Sequence, residues 1–164
     1  MELRIYGTTN LRTHVVWNYG DGEFQTITIT LTITEMIIDN KILDELTEQA
    51  KASERLRMAY DLRTTPDDGS QRMLSAIEPG TQVPIHRHRN TSETILCIRG
   101  HSKQLLYDDA GNVTDEIDML PGGCIVNIPV GKWHNIQSLE PGTIMFECKD
   151  GKYAPFAPGD VLGM

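Results

Sequence analysis

The stretch that decides the fold runs from residue 80 to residue 100 and reads GTQVPIHRHRNTSETILCIRG. His86 and His88 are separated by a single residue, so on an extended chain both imidazoles point to the same side. Glu93 follows five residues after His88, the distance needed to turn a short loop and begin the next strand. Two imidazoles and a carboxylate on neighbouring strands are typical of part of a divalent metal site.

A second stretch, residues 123 to 134, supplies a third imidazole and reads GCIVNIPVGKWH. His134 stands just past a tight Pro-Val-Gly turn, ahead of another strand. With the first two histidines and Glu93 it would complete a mixed nitrogen and oxygen ligand set for a first-row metal. The predicted cofactor is therefore one divalent ion, for which Fe, Zn, Ni and Mn are all candidates. The remaining histidines, His14 and His101, stand outside any motif and are expected to be solvated or structural.

Short β-type runs recur after residue 70, with Gly and Pro at the breaks between them. Many short strands at fairly regular spacing predict an all-β sandwich or small barrel and not a parallel α/β sheet. The Asp108–Gly111 segment suits a hairpin in which the glycine takes the left-handed conformation. The clearest runs are Met73–Ile77, Thr94–Ile98, Gln104–Tyr107, Cys124–Ile128 and Thr143–Cys148.

The N-terminal part of the chain has a different pattern. Residues 26–34 alternate Thr with Ile or Leu without a break, which predicts a strand with one buried face. That strand would be either an added edge strand or an arm that pairs with a second subunit. A third interpretation takes Met36 as the natural start and residues 1–35 as an extension introduced by start-site assignment.

A helical segment is expected between this strand and the β-rich part. Asp39 or Asn40 can cap a helix, and apolar residues then recur at helical spacing as far as Ala50. A further turn or two is expected over residues 56–60. The sequence TTPDDG at 64–69 is a strong loop signal that ends the helical region.

Composition excludes several classes of partner. Lys and Arg total 15 and Asp and Glu total 23, so the net charge of −8 lacks the cationic surplus that nucleic-acid binding requires. No apolar run approaches the roughly 20 residues that span a bilayer, and the first residues contain no apolar segment of a secretion signal. The three scattered cysteines, Cys97, Cys124 and Cys148, are expected to be small buried side chains in a reducing cytoplasm. We therefore expect a cytoplasmic protein that binds neither nucleic acid nor membranes.

The two histidine-bearing stretches resemble the two motifs of the cupin superfamily. The second motif usually ends in Asn four residues after its histidine, where this chain has Ser138, with Asn135 beside the histidine instead. The resemblance implies an all-β jelly-roll barrel that holds a metal ion inside it. Together with the patterns described above, this predicts an N-terminal extension over 1–35, a helical lead-in over 36–70 and a barrel over 71–164. The matching positions are Gly80, His86, His88, Glu93 and Gly100 in the first motif and Gly123, Pro129, Gly131 and His134 in the second.

Beyond the superfamily, residues 38–155 resemble the WbuC family of cupin-fold metalloproteins. Members often occur beside genes for surface-polysaccharide (O-antigen) synthesis, so the resemblance suggests a sugar or nucleotide-sugar substrate. The matching pieces are Ile42–Leu46, Arg55–Arg57, Gln71–Leu74, Glu78–Gly80, Pro84–His88, Ser92–Thr94, Ile128–His134, Leu139–Thr143 and Phe146–Gly151.

Two carboxylates and two arginines are candidates for substrate chemistry beside the metal. Glu93 either binds the metal or transfers a proton. Glu147 lies on a late strand with apolar neighbours on the opposite face, so its side chain can point into the pocket. Arg57 and Arg72 would each clamp a carboxylate or phosphate of the substrate, the alternative for both being a surface salt bridge.

The predicted function is that of a metal-dependent enzyme that isomerises or epimerises a small polar substrate, with Glu93 or Glu147 moving a proton. One alternative is an iron-dependent dioxygenase, because the same ligand set leaves positions for substrate and dioxygen. Another is a non-catalytic module that binds a small ligand through the metal, and fold alone does not decide among the three. A homodimer is also expected, because cupin barrels commonly pair through strand edges.

Overall fold

The computed structural model describes residues 11–18, 24–31 and 37–163. The chain divides into two compact units, residues 1–39 and 40–164. In the first unit, strands β1 (Leu11–Asn18) and β2 (Phe24–Leu31) pair antiparallel along their whole length. The alternating pattern therefore does form a strand, and its predicted last residues, 32–34, lie outside the described residues. β2 pairs with β1 of the same chain. The pairing of β2 with a second subunit stays a prediction.

The second unit begins with helix α1 (Asn40–Ala52), which packs one apolar face on the sheet behind it. Leu43, Leu46 and Ala50 are buried in a cluster with strand residues. The predicted continuation of the helix over residues 56–60 is wrong, because Arg57–Asp61 forms strand β3. Backbone pairing with a neighbouring strand outweighs the weak helical preference of so short a segment.

The remaining strands form two antiparallel sheets, with strand orders β3-β4-β10-β5-β8 and β7-β6-β9. All five β runs predicted from the sequence are strands. The sequence does not predict β7, because its charged segment VTDEIDM is exposed over most of its length. The predicted Asp108–Gly111 hairpin joins β6 to β7, with Gly111 at φ 83°. The strands are β4 (Ser70–Ile77), β5 (Glu93–Arg99), β6 (Ser102–Tyr107), β7 (Val113–Met119), β8 (Ile125–Ile128), β9 (Trp133–Ser138) and β10 (Thr143–Asp150).

The main apolar core lies between these two sheets. Along the inner face of the five-stranded sheet, side chains two residues apart change from apolar to charged. On β5, Ile95 and Cys97 belong to the core while Glu93 continues the same face, and on β10 Glu147 follows the core residue Met145. One end of the space between the sheets is therefore a packed core, and the other is polar. The buried core residues are Ile77, Ile95, Cys97, Met119, Val126, Ile128, Ile136 and Met145.

Two composition-based expectations can be compared with the structure. No helix among the described residues is long and apolar enough to cross a membrane. All three cysteines are free, with Cys97 buried and Cys148 partly buried. The expectation of burial is wrong for Cys124, which is exposed just before β8.

Candidate metal centre

The three motif histidines are brought together by pairing between an extended segment and β9. The backbone N–H of His86 donates to the carbonyl of His134 over 3.0 Å, and the His134 N–H donates back over 2.8 Å. The Gly131 N–H donates to the His88 carbonyl over 2.8 Å, which fixes the turn before β9 against the same segment. The three imidazole centroids lie 4.3–5.4 Å apart. The alternation of an extended chain does place both His86 and His88 on one side, as the sequence predicts.

Glu93 completes the cluster from the first position of β5. One potential ligand atom from each of the four predicted residues lies within 4.8 Å of the others. The Oε2 atom of Glu93 lies 3.0 Å from Nε2 of His134 and 3.1 Å from Nε2 of His88. Its Oε1 atom accepts a hydrogen bond of 2.9 Å from Nζ of Lys149. Glu93 therefore turns one oxygen toward the imidazoles and the other toward an ammonium group.

The hydrogen bonds of these imidazoles fit a bound cation. Nδ1 of His86 donates to the Pro84 carbonyl over 2.9 Å, and Nδ1 of His134 donates to the Lys132 carbonyl over 2.8 Å. A ring that donates from Nδ1 in this way can present the lone pair of its Nε2 to a metal ion, which is the usual arrangement of metal-binding histidines. Nε2 of His134 lies 3.0 Å from Oε2 of Glu93, so these two potential ligand atoms lie side by side. A divalent ion bound at this point would satisfy both.

His88 gives a second, independent indication. Its Nε2 atom is buried and has no hydrogen-bond partner among the described residues. The nearby Glu93 oxygen lies within ion-pair distance, but the contact does not meet the geometry of a hydrogen bond. A buried polar atom without a partner is costly, and coordination to a metal ion would remove that cost. The four residues therefore fit a mixed nitrogen and oxygen metal site.

The ionisation of the ligands is consistent with metal binding at neutral pH. Burial, together with the neighbouring His134, lowers the pKa of His86 to about 3, so this imidazole is neutral and free to coordinate. Burial alone would raise the pKa of Glu93. The contacts with His134 and His88 and the charge of Lys149 instead hold that pKa well below its usual range. Glu93 is thus an anionic ligand beside the neutral imidazole of His86.

A second carboxylate, Glu147, lies beside Glu93 on the neighbouring strand. Burial and the negative charge of Glu93 raise the pKa of Glu147 to about 7, while Lys149 and Ser75 act in the opposite direction. One fifth of the Glu147 side chain is open to the adjacent cavity. The structure therefore provides, next to the four ligands, a carboxyl group able to give or take a proton near neutrality.

All four ligands line one open cavity of about 560 Å³. That volume lies within the range of small-molecule sites in proteins. Glu147, Lys149 and Arg57 line the same cavity, as do the apolar side chains Met58 and Phe156. The cavity therefore combines a metal-type cluster, charged groups and apolar surface, which is the usual composition of a ligand site.

The C-terminal segment forms one wall of this cavity. The ring of Phe156 lies 4.7 Å from the His86 ring and 6.0 Å from the His88 ring, centroid to centroid. The segment is held in place by Asp160, which accepts hydrogen bonds from Arg87 and Arg89. Its backbone also pairs with the extended histidine segment. The histidines are thus covered on one side by an aromatic ring, which limits the access of water to them.

The structure does not bring every predicted residue to the cavity. Glu147 and Arg57 line it, but Arg72 does not. The guanidinium of Arg72 pairs with Asp68 at 3.0 Å and donates to the Leu62 carbonyl. Arg72 therefore has the position of the salt-bridge alternative, and its predicted substrate contact is not supported by its location.

The residues outside the ligand set have structural contacts. His101 pairs with Asp118 at 2.9 Å, as expected of a structural histidine. His14 lies on β1, where the structure describes the strand alone. Asn135, which stands beside the motif histidine, accepts from the Tyr107 hydroxyl and donates to the Val83 carbonyl. It therefore ties β9 to β6 and to the segment that leads into the histidines.

Lys149 and Phe156 belong to the site and are not among the sequence candidates. Lys149 lies two positions after Glu147 on the same strand. The strand alternation that predicts an inward-pointing Glu147 side chain therefore also predicts an inward-pointing Lys149 side chain. Phe156 lies in a Pro- and Gly-rich segment without periodicity, and no local signal indicates that its ring covers the histidines.

Solved structures similar to this chain confirm the cupin fold. CapF from Staphylococcus aureus, described as a capsular polysaccharide assembling protein, has a TM-score of 0.54 at 22% identity, over 66% of this chain and 29% of CapF. BH2720 from Bacillus halodurans has a TM-score of 0.50 at 17% identity, over 76% of this chain and 86% of that protein.

Sequence comparison identifies the family. No curated protein matches the chain significantly in sequence. The likeness to the WbuC family stays a prediction. One family profile, described as Domain of unknown function (DUF6016), matches residues 38–119, which is half of the 164 residues. The chain therefore belongs to the DUF6016 family.

Proposed function

We propose that this protein is a metal-dependent enzyme that isomerises or epimerises a small sugar or nucleotide-sugar in surface-polysaccharide metabolism. The observation that carries the proposal is the position of the metal-type cluster in the wall of an open cavity of about 560 Å³. A structural metal site is closed, whereas a catalytic one keeps positions open to substrate. Three imidazoles and one carboxylate would leave such positions on a five- or six-coordinate ion.

The roles of the residues follow from their positions around the cluster. His86, His88, His134 and Glu93 would hold a divalent ion, which when bound would polarise a substrate carbonyl or hold two neighbouring hydroxyl groups. Glu147 lines the cavity beside these ligands and would move the proton at the adjacent carbon. Phe156 covers one side of the imidazoles and would keep water from the reacting atoms.

The proposed substrate class rests on two supports. One is the resemblance of residues 38–155 to the WbuC family, whose members often occur beside O-antigen genes. The other is the fold shared with CapF, described as a capsular polysaccharide assembling protein. At 22% identity that likeness establishes the fold alone, so the sugar substrate is a proposal to be tested directly.

Solvent exchange provides the test. Metal-loaded protein is incubated in D₂O with a panel of free and nucleotide-linked sugars, and deuterium at the carbon next to the carbonyl is followed by ¹H NMR. We expect exchange with wild type and a loss of about 100-fold or more in Glu147→Gln, with metal content unchanged. The matched control is Glu54→Gln, an exposed glutamate outside the cavity.

The alternative functions are distinguished in the same samples. Oxygen consumption with a small organic substrate, in the absence of proton exchange, would replace the isomerase proposal with the dioxygenase. A sugar that raises the thermal midpoint but exchanges no proton would replace it with a binding module.

A further inference from the structure

The cationic side chains that line the cavity differ in whether they form an ion pair within the protein. Six of them line it: Arg55, Arg57, Arg87, Arg89, Lys149 and Lys152. Four are paired within the protein. Arg87 and Arg89 pair with Asp160, Lys149 pairs with Glu93, and Lys152 pairs with Asp67.

Arg55 and Arg57 are the exceptions. Within residues 37–163, neither guanidinium donates a hydrogen bond or forms an ion pair. Arg57 is partly buried, and burial followed by the charge of nearby Arg55 lowers its pKa. Glu147 is the acidic group that favours its charged form, yet it is not within ion-pair distance.

Two adjacent uncompensated cations are unexpected in a chain that carries 23 acidic residues and a net charge of −8. Like charges repel, and the partly buried guanidinium of Arg57 loses hydration without gaining hydrogen bonds, whereas Arg55 is exposed. An anion in the cavity would provide both the missing charge and the missing acceptors. The planar guanidinium fork matches the two oxygens of a carboxylate or a phosphate.

We propose that Arg57, assisted by Arg55, binds an anionic group of the substrate, so that the substrate is a sugar acid or a sugar phosphate. This deepens the proposed function, on which it rests in taking the cavity as the substrate site. A cavity of about 560 Å³ suits a monosaccharide with one such group, with the sugar reaching the four-residue cluster and the anion reaching the arginines.

Three sugars of one size test the proposal by calorimetry: D-glucose, D-glucuronate and D-glucose 6-phosphate. Each is titrated into the protein as purified and into protein dialysed against EDTA. We expect at least one anionic sugar to bind about tenfold or more tighter than glucose, and its affinity to fall with added NaCl. The anion that binds more tightly identifies carboxylate or phosphate as the recognised group.

Substitutions assign the effect to the arginine. We expect Arg57→Gln to weaken anion binding by about 10- to 100-fold and to leave glucose binding unchanged. Arg57→Lys should fall between Arg57→Gln and wild type, because it keeps the charge and loses the fork. The matched control is Arg99→Gln, since Arg99 pairs with Asp44 outside the cavity. Far-UV circular dichroism and the thermal midpoint verify that each variant is folded.

Three results would overturn the proposal: equal affinity for the three sugars, no binding of either anion at about 10 mM, or unchanged anion affinity in both Arg57 variants. Failure of the proposed enzyme would look different. In that case the anion binds and depends on Arg57, while no proton exchanges with solvent.

Discussion

Replacing Lys149 with methionine removes one charge from the centre of the site while nearly preserving side-chain length. Nζ of Lys149 lies 2.9 Å from one oxygen of Glu93 and 4.0 Å from an oxygen of Glu147. The side chains of Lys149 and Glu93 are only 15% and 3% exposed. The pair is therefore largely shielded from solvent, and removing the ammonium group would leave a buried carboxylate with less compensation.

The loss of unfolding free energy caused by Lys149→Met should depend on whether a metal ion is bound. Removing one partner of a buried ion pair costs about 3–5 kcal/mol, because the other charge stays buried and uncompensated. In the metal-loaded protein a divalent ion would neutralise Glu93 and recover part of that cost. If it recovers about 1.4 kcal/mol, thermodynamic linkage requires the variant to bind metal about tenfold more tightly than wild type.

Urea unfolding and metal titration measure the two quantities. Both proteins are unfolded at pH 8 in EDTA and again with excess Mn²⁺, and Mn²⁺ affinity is measured by calorimetry. Lys103→Met is the control, because Lys103 forms a more exposed pair with Glu116 and should cost less than about 1 kcal/mol with unchanged metal affinity. Equal stability of wild type and Lys149→Met in EDTA, or weaker metal binding by the variant, would refute this reasoning.

Two further substitutions test the framework around the site. Gly100→Ala should cost about 1–2 kcal/mol for the left-handed backbone and about 1–3 kcal/mol more for overpacking, since its Cβ would lie 2.5 Å from Oγ1 of Thr143. Gly122 has a similar φ, but open space surrounds its Cβ position, so Gly122→Ala should lose only the stability due to the left-handed backbone in urea unfolding. Equal losses of stability in the two variants would contradict the packing argument. The contact with Arg89 lowers the pKa of Asp160, so its stabilisation is present above the ordinary carboxyl pKa and is lost as the pH falls through the lowered value. The stability difference between wild type and Asp160→Asn should therefore be constant above about pH 5 and shrink in more acidic solution, and a difference that grew with acid would contradict this sign.

The sequence predicts those parts of the fold whose local pattern and tertiary environment agree. The five β runs have one face in the core, so their apolar residues recur with the strand period. β7 lacks that pattern because most of its length is exposed. Arg57–Asp61 carries a pattern that also fits a helix, and its assignment as a strand depends on pairing with β4, distant information that no local pattern contains.

The candidate ligands could be identified because motif spacing fixes which elements carry them. Arg57 and Arg72 lie outside these motifs, and the local sequence pattern does not predict correctly which way both side chains point. A shift of one residue in a strand reverses the face of every side chain, and on β4 it is Gln71, not Arg72, that lines the cavity. Arg57 lies in a segment predicted as helix, so its face could not be inferred. The aromatic cover from Phe156 depends on a C-terminal segment fixed by the distant pair Asp160 and Arg89.

Metal content tests the central claim most directly. Wild type and His88→Ala are purified in parallel without chelator or metal-affinity resin, and both are analysed for transition metals. The account predicts about one equivalent of a divalent ion in wild type and its loss in His88→Ala, with the variant still folded. Wild type that carries no metal, and takes up none after reconstitution, would contradict the assignment of His86, His88, Glu93 and His134 as a metal centre.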